Sequence, residues 1–264
     1  MIPVILIHLG DSDYLHHTFA RALQMNREVI LIGNSLTTLP HEDVDKYKLD
    51  ANVFEQHYRH LSGNHAEFEL FCFQRWFILS EFMHTNNLET VFYQDSDVLL
   101  YADVNSEWKH YEQYDFTLVQ GTCASNSYFK RDGLDRFCRF VMSTYEKRDK
   151  LFQEFESIYI AMTAQGLPGG ICDMTLFRYY KASNDPPPVG EMCAIDEKNA
   201  TWDHHLRAPD GYRMRQEDGE TIKDVVFLSG LPHVYNLSMQ QNIRFKSLHL
   251  QGQTKAFAEK WTKV

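Results

Sequence analysis

An unbroken apolar run would make residues 90–100 an ordinary buried strand, but two carboxylates interrupt it. Thr90-Val91-Phe92-Tyr93-Gln94 leads into Asp95-Ser96-Asp97, and Val98-Leu99-Leu100 follows at once. Flanks of this kind place the backbone inside a sheet, where an isolated carboxylate is costly unless a cation or several N–H donors compensate it. Alternation along a strand lets Asp95 and Asp97 face one way while Ser96 faces the other. Paired oxygen ligands at this spacing suit a hard divalent cation, Mg²⁺ or Mn²⁺. The same two residues could instead accept backbone N–H bonds at the end of a strand.

Around this run the chain alternates strand and helix signals. Residues 2–9 form a strand-length apolar run closed by Gly10-Asp11-Ser12. Residues 13–25 read as a helix with Leu15, Phe19, Ala22 and Leu23 on one face, and 29–32 as a second buried strand ended by Gly33-Asn34-Ser35. Buried strands bounded by glycine and joined by a helix imply a parallel α/β sheet. A further strand is expected over 52–58. The longest helical pattern spans 65–83 and repeats Phe68, Phe71, Cys72, Trp76, Leu79 and Phe82, which leaves Glu69, Gln74 and Arg75 on the surface. Strands at 115–120 and 122–130 and helices over 133–148, 151–164 and 173–180 follow. Asn184-Asp185-Pro186-Pro187-Pro188 excludes helix or central strand and opens a polar stretch reaching Gly219. Short strands at 225–228 and 247–250 and a small helix after Lys255 close the chain.

The terminal segment His249-Leu250-Gln251-Gly252-Gln253-Thr254-Lys255 carries the second chemical signal. An imidazole beside two carboxylates tilts the metal choice toward manganese. A lysine three residues past a glycine offers a point charge beside backbone N–H groups free to approach a phosphate. Metal and lysine together suit a diphosphate leaving group. Two other acidic pairs share the spacing. Asp43-Val44-Asp45 reads as a solvated face; Asp11-Ser12-Asp13 either touches a nucleotide or caps the helix that begins there.

Bulk properties narrow the partners. At 264 residues the chain suits one domain, and 44% hydrophobic with 23% charged residues is ordinary for a globular protein. A net charge of −10 argues against nucleic acid and against a polybasic membrane patch. Five scattered cysteines without a C-x-x-C pair fit buried thiols in a reducing compartment. With no signal-peptide pattern and no run of about 18 apolar residues, a cytoplasmic protein without a transmembrane segment is expected, and Asn199-Ala200-Thr201 and Asn236-Leu237-Ser238 are chance matches to a glycosylation pattern.

Tyr93-Gln94-Asp95-Ser96-Asp97-Val98-Leu99, joined to the H-x-x-G-x-x-K segment at 249–255, resembles the metal-dependent glycosyltransferases of the GT-A fold. The terminal segment is most similar to that of family 8, the glycogenin and lipopolysaccharide galactosyltransferase group. The resemblance implies a Rossmann-like, mixed but mainly parallel sheet flanked by helices, as a single domain over 1–264. Residues 1–130 would bind the nucleotide sugar and 131–264 the acceptor. It also implies Asp95, Asp97 and His249 as ligands of Mn²⁺ (or Mg²⁺), with Lys255 and the backbone near Gly252 on the departing phosphate. His8, Leu9, Gly10, Asp11 and Asn34 would meet the base and ribose, and Arg75 the donor. Asn126 would bind the donor sugar, and Asp173, where the family's Asp-Gln pair is Asp173-Met174 in this chain, would act in catalysis, bind sugar hydroxyls or N-cap the helix that follows. The implied activity is transfer of a hexosyl or pentosyl group, with a UDP-sugar as expected donor, to a saccharide or other hydroxyl acceptor. Trp202, His204, His205 and Tyr212 in the polar stretch would form a lid facing that acceptor.

Two other readings compete. Haloacid-dehalogenase-type phosphatases also place D-x-D after an apolar strand, but near the N-terminus and with a downstream Gly-Asp-x-x-x-Asp that this chain lacks. A non-catalytic carbohydrate- or nucleotide-binding domain is the other.

Overall fold

The computed structural model describes residues 1–183 and 185–263, so Asn184 of the proline-rich turn lies outside the described residues. The first units follow the apolar pattern closely: β1 (Val4–Ile7), α1 (Asp13–Met25), β2 (Val29–Gly33) and β3 (Glu42–Asp43). The expected strand at 52–58 is instead part of a helix, α2 (Leu49–His57). Its buried residues Ala51 and Phe54 are three apart, a helical spacing that outweighs the local β-branched Val53.

α3 (Ala66–Thr85) is buried on more than one face, so the surface assignment of its polar residues needs correction. Phe68 is 60% exposed, whereas Glu69 is 1% exposed and accepts a hydrogen bond from Asn64 Nδ2 at 2.8 Å. Arg75 is largely buried as well. Leu23 of α1, expected inside, is exposed.

β4 (Thr90–Gln94), β5 (Val98–Leu100), α4 (Val104–Glu107), β6 (Phe116–Leu118) and β7 (Asn126–Lys130) come next. They are followed by α5 (Arg131–Lys147), α6 (Lys150–Ala164), α7 (Asp173–Lys181) and β8 (Val189–Glu191). Seven strands form the main sheet in the order β3-β2-β1-β4-β7-β6-β8. Of these described strands β7 alone runs against the others, pairing antiparallel with β4 and β6. The fold is therefore a mixed, mainly parallel α/β sheet, as the resemblance implied.

Side chains of α2, α3 and α5–α7 form one apolar cluster with one face of this sheet, including Phe54, Trp76, Phe129, Phe137 and Phe177. α1 covers the opposite face with Leu6, Phe19, Phe92 and Tyr128. The polar stretch is not irregular throughout: it holds β8, β9 (Ala200–Thr201) and β10 (Met214–Glu217). Trp202 is 1% exposed in the α1-side cluster, and Tyr212 is buried too, so neither serves as an exposed lid residue.

β10 forms a hairpin with β11 (Glu220–Lys223). β12 (Val226–Leu228), β13 (Leu231–Asn236), β14 (Gln241–Phe245) and β9 make a second, four-stranded sheet. β15 (Ser247–His249) and α8 (Ala258–Thr262) complete the described chain. No helix among the described residues is long and apolar enough to cross a membrane.

The position of the site follows from strand order. After β1 the chain builds outward to β2 and β3, then returns to place β4 on the other side of β1. Such a reversal opens a crevice at the carboxyl ends of β1 and β4, the place where α/β sheets receive ligands. His8 follows β1 and Asp95 follows β4, and His8 Nδ1 lies 3.0 Å from Ser96 Oγ across that crevice. Between β4 and β5 the chain turns, with Val98 N–H donating to the Asp95 carbonyl at 3.1 Å. β5 then leaves the main sheet and pairs antiparallel with β15.

Candidate active site

The β5–β15 pairing is what joins the mid-chain acids to the terminal histidine. His249 stands opposite Val98 in the ladder, and Leu250 N–H donates to the Asp97 carbonyl at 2.9 Å. One ligand atom each from Asp95, Asp97 and His249 lie within 4.8 Å of one another. The donor set, two carboxylates and one imidazole, fits a divalent cation. His249 Nδ1 donates to the His204 carbonyl at 2.8 Å, which leaves Nε2 turned to Asp97 Oδ1 at 3.3 Å. A metal-binding histidine is commonly held through its second nitrogen in this manner.

The electrostatics are tightly balanced. Burial alone would raise the Asp97 carboxyl, but the His249 imidazolium and the Lys255 ammonium outweigh it and hold it at about 2. Burial would lower His249, yet Asp97 and Asp95 lift it to about 9. Lys255 Nζ lies 3.3 Å from Asp97 Oδ2. Lys255 also sits over the Tyr14 ring, 4.6 Å from its centroid. A divalent ion at His249 Nε2 would compete with a proton for that nitrogen.

Asp95 belongs to a second network. Arg75 Nη1 donates to Asp95 Oδ1 at 2.7 Å, and Tyr93 OH donates to the same oxygen at 2.9 Å. Arg75 Nη2 donates to Asp173 Oδ2 at 2.6 Å, and Trp76 Nε1 reaches that oxygen at 3.0 Å. The guanidinium therefore bridges the acid after β4 and the acid opening α7. Each Nη of the planar guanidinium serves one carboxylate, a fixed fork that differs from the point charge of a lysine. Burial would lower the Arg75 pKa, but Tyr93, Asp95 and Asp173 together raise it well above the ordinary value. Asp173 is 4% exposed and does not cap α7, whose N-cap is Cys172; its Oδ1 accepts the Met174 N–H at 2.9 Å. Gly170 makes this corner possible. Its φ is +155°, and a Cβ there would collide with the Leu61 carbonyl.

Gly10 and Asn34 follow β1 and β2, and Asn126 opens β7. Gly10, at φ +90°, donates its N–H to Asn34 Oδ1 at 2.9 Å. Asp11 does not cap α1: the N-cap is Ser12, and Asp11 instead accepts Thr38 Oγ1 at 2.5 Å and pairs with His16 at 2.9 Å. Asp43 caps a short turn by accepting the Asp45 N–H, and both carboxylates are exposed. Gly252, at φ +62°, opens the turn leading to Lys255. Asn126 stands opposite Gln94 in the β4–β7 ladder with 0% exposure, and neither of its amide atoms has a partner among the described residues. Ser125 and Ser127 hydroxyls beside it are buried and unpartnered as well.

Sequence reasoning missed Tyr93, Trp76 and Tyr14. Tyr93 lies two residues before Asp95 on the same strand face, a period-two relation available in the sequence. Trp76 follows Arg75 directly. No local pattern singles out Tyr14. All five cysteines are free, and burial raises every thiol.

No protein-family model matches the sequence, and no curated protein matches it. Solved structures resemble it loosely. Mouse xyloside xylosyltransferase 1 in its apo form is 8% identical over 69% of this chain and 82% of that chain, with a TM-score of 0.41. A197 from STIV is 12% identical over 93% and 94%, at 0.34. A glycosyltransferase involved in the glycosylation of the major capsid of PBCV-1 is 9% identical over 99% and 98%, at 0.40. Likenesses this loose assign neither a family nor a reaction.

Proposed function

We propose that this chain is a metal-dependent glycosyltransferase that moves a sugar from a nucleotide diphosphate sugar, a UDP-sugar in the first instance, to a saccharide or other hydroxyl acceptor. The observation that carries the reading is the convergence of Asp95, Asp97 and His249 within 4.8 Å at the carboxyl ends of β1 and β4, with Lys255 beside them. Mn²⁺ or Mg²⁺ held by these three would neutralise charge on the departing diphosphate.

The chain's own groups divide the remaining work. Lys255 offers an ammonium already oriented toward the anionic side of the site. The positive φ of Gly252 lets the backbone of its turn approach a phosphate without a side chain in the way. Both groups act on charge that grows as the bond to the sugar breaks, so they favour the transition state over the ground state. His8, Gly10, Asp11 and Asn34 border the nucleoside side of the crevice. Arg75 holds Asp95 and Asp173 in register. Both Asp173 oxygens are engaged, which suits a fixed acceptor for sugar hydroxyls better than a free base. Asn126 brings two unpartnered amide atoms that a sugar hydroxyl or an ordered water would satisfy. Residues 1–130 supply most of the donor side, and 131–264 add Asp173, His249, Lys255 and the acceptor side.

Calorimetric titration with UDP, with and without Mn²⁺, tests this directly. Binding that requires the metal, followed by metal-stimulated hydrolysis of one member of a nucleotide-sugar panel, is the expected result. Metal-independent binding, or cleavage of simple phosphomonoesters instead, would remove the proposal in favour of an inert binder or a phosphatase.

A further inference from the structure

Lys223 is a buried ammonium, with its side chain 1% exposed. It donates to Asp203 Oδ1 at 2.8 Å, to the His205 carbonyl at 2.7 Å and to Asp210 Oδ2 at 2.9 Å. Asp203, whose side chain is fully buried, uses its other oxygen to accept the His249 backbone N–H at 3.0 Å. Its own N–H donates to Ser247 Oγ at 3.2 Å.

The residues that follow complete a wrap around the histidine. The His204 carbonyl accepts from His249 Nδ1. Leu206 N–H donates to the His249 carbonyl at 3.1 Å, and the Leu206 carbonyl accepts the Lys223 N–H at 2.9 Å. Segment 203–206 therefore contacts His249 at its N–H, its ring and its carbonyl, and Lys223 grips the same segment at three points. A buried ion pair is weak evidence for stability, because desolvation offsets most of its attraction. One that fixes the outer partner of a ligand has a clearer use, since such partners set ring orientation and tautomer.

We propose that Lys223 is a positioning residue for His249, acting through Asp203 and the His204 carbonyl to keep Nε2 aimed between Asp95 and Asp97. The inference rests on the reading of His249 as a metal ligand.

Mn²⁺ titration of the full chain, followed by electron paramagnetic resonance of the free ion, gives the affinity. Pulsed resonance of the bound ion reports the ¹⁴N coupling of a directly coordinated imidazole. Wild type should show that coupling and His249→Ala should lack it. Lys223→Met should bind Mn²⁺ about 10- to 100-fold more weakly, with the ¹⁴N coupling reduced or gone. Asp203→Asn serves as a second variant if the methionine protein does not fold; its amide oxygen still accepts the His249 N–H but carries no charge for Lys223. A general loss of stability would lower the unfolding midpoint yet leave the coupling intact in the folded fraction. Unchanged affinity and coupling in whichever variant folds overturns the positioning role while the metal site stands. Absence of ¹⁴N coupling in wild type overturns both.

Discussion

Around Asp95 the groups that fix the backbone are apolar, whereas around His249 they are ionic. β4 is pinned by Val91, Phe92 and Tyr93, with Trp76 and Phe129 packed on one side and Tyr128 on the other. The terminal region has its own apolar cluster, including Leu99, Val234, Ile243, Phe245 and Trp261. It adds buried lysines, each between two carboxylates, where the first region has the Arg75 fork. Lys223 meets Asp203 and Asp210, and Lys246 meets Glu107 and Asp196 at 2.6 Å each. Packing tolerates small displacements poorly but needs no particular pH; ion pairs give orientation and depend on protonation. The proposed metal site lies on the seam, with Asp95 from the packed frame, His249 from the ionic one, and Asp97 on the turn between them.

If the seam is where function resides, breaking either side at the metal should cost the most. Asp97→Ala and His249→Ala should each remove detectable Mn²⁺-dependent UDP binding in calorimetry, a loss of at least about 100-fold, since ligand removal exceeds the effect of an outer partner. Circular dichroism should remain native in both. Equal UDP affinity in either variant would dissolve the comparison, because the seam would then hold no ion.

Within the packed frame the expected penalty is one of stability. Trp76 is 1% exposed, touches Tyr93, Phe129 and Phe177, and donates to Asp173. Trp76→Ala should destabilise the protein by about 3–5 kcal/mol in urea unfolding, as large-to-small core changes do. A loss below about 1 kcal/mol would mean that the frame relaxes around the cavity and is less rigid than its packing implies.

The same contrast explains what the sequence made legible. In the packed frame, period and glycine punctuation placed β1, α1, β2, α3 and β4 within a few residues, because burial in a parallel sheet writes itself as apolar runs. The miss at α2 came from a short segment in which Val53 and Phe54 mimic a strand. In the ionic region the pattern reaches β12, β15 and α8 but gives no sign of β9, β10, β11, β13 or β14. β9 has two residues, and Trp202 sits among polar neighbours although its ring belongs to the core. Lys223, Asp203 and Lys246 look like solvated charges until the fold brings them together. The Asp95–Asp97–His249 group was legible because the ligand types a divalent ion would demand persist in sequence whatever the distance along the chain. The resemblance sets Arg75 toward the donor, whereas its bridge to Asp173 spans 98 positions and leaves no local trace.

Acid should separate the two regions with the smallest perturbation. Burial would raise Asp196 and Asp210, yet hydrogen bonds and attraction from Lys246 and Lys223, respectively, hold both below the ordinary carboxylate value. A folded-state value below the unfolded one stabilises above the unfolded pKa of about 3.9 and loses that contribution as pH falls through the folded value. Protonating these acids leaves Lys223 and Lys246 buried with fewer counter-charges, which weakens the lattice around β9, β11 and β14. Among the described residues, no comparable ion pair holds β1 against β2 and β4. Hydrogen exchange at pH 3, corrected for intrinsic rates and compared with pH 7, should therefore show the amides of β11, β14 and β15 losing protection before those of β1 and β4. Uniform loss across both regions would mean that the molecule opens as one unit, and the division between a packed and an ionic half would then describe composition without describing behaviour.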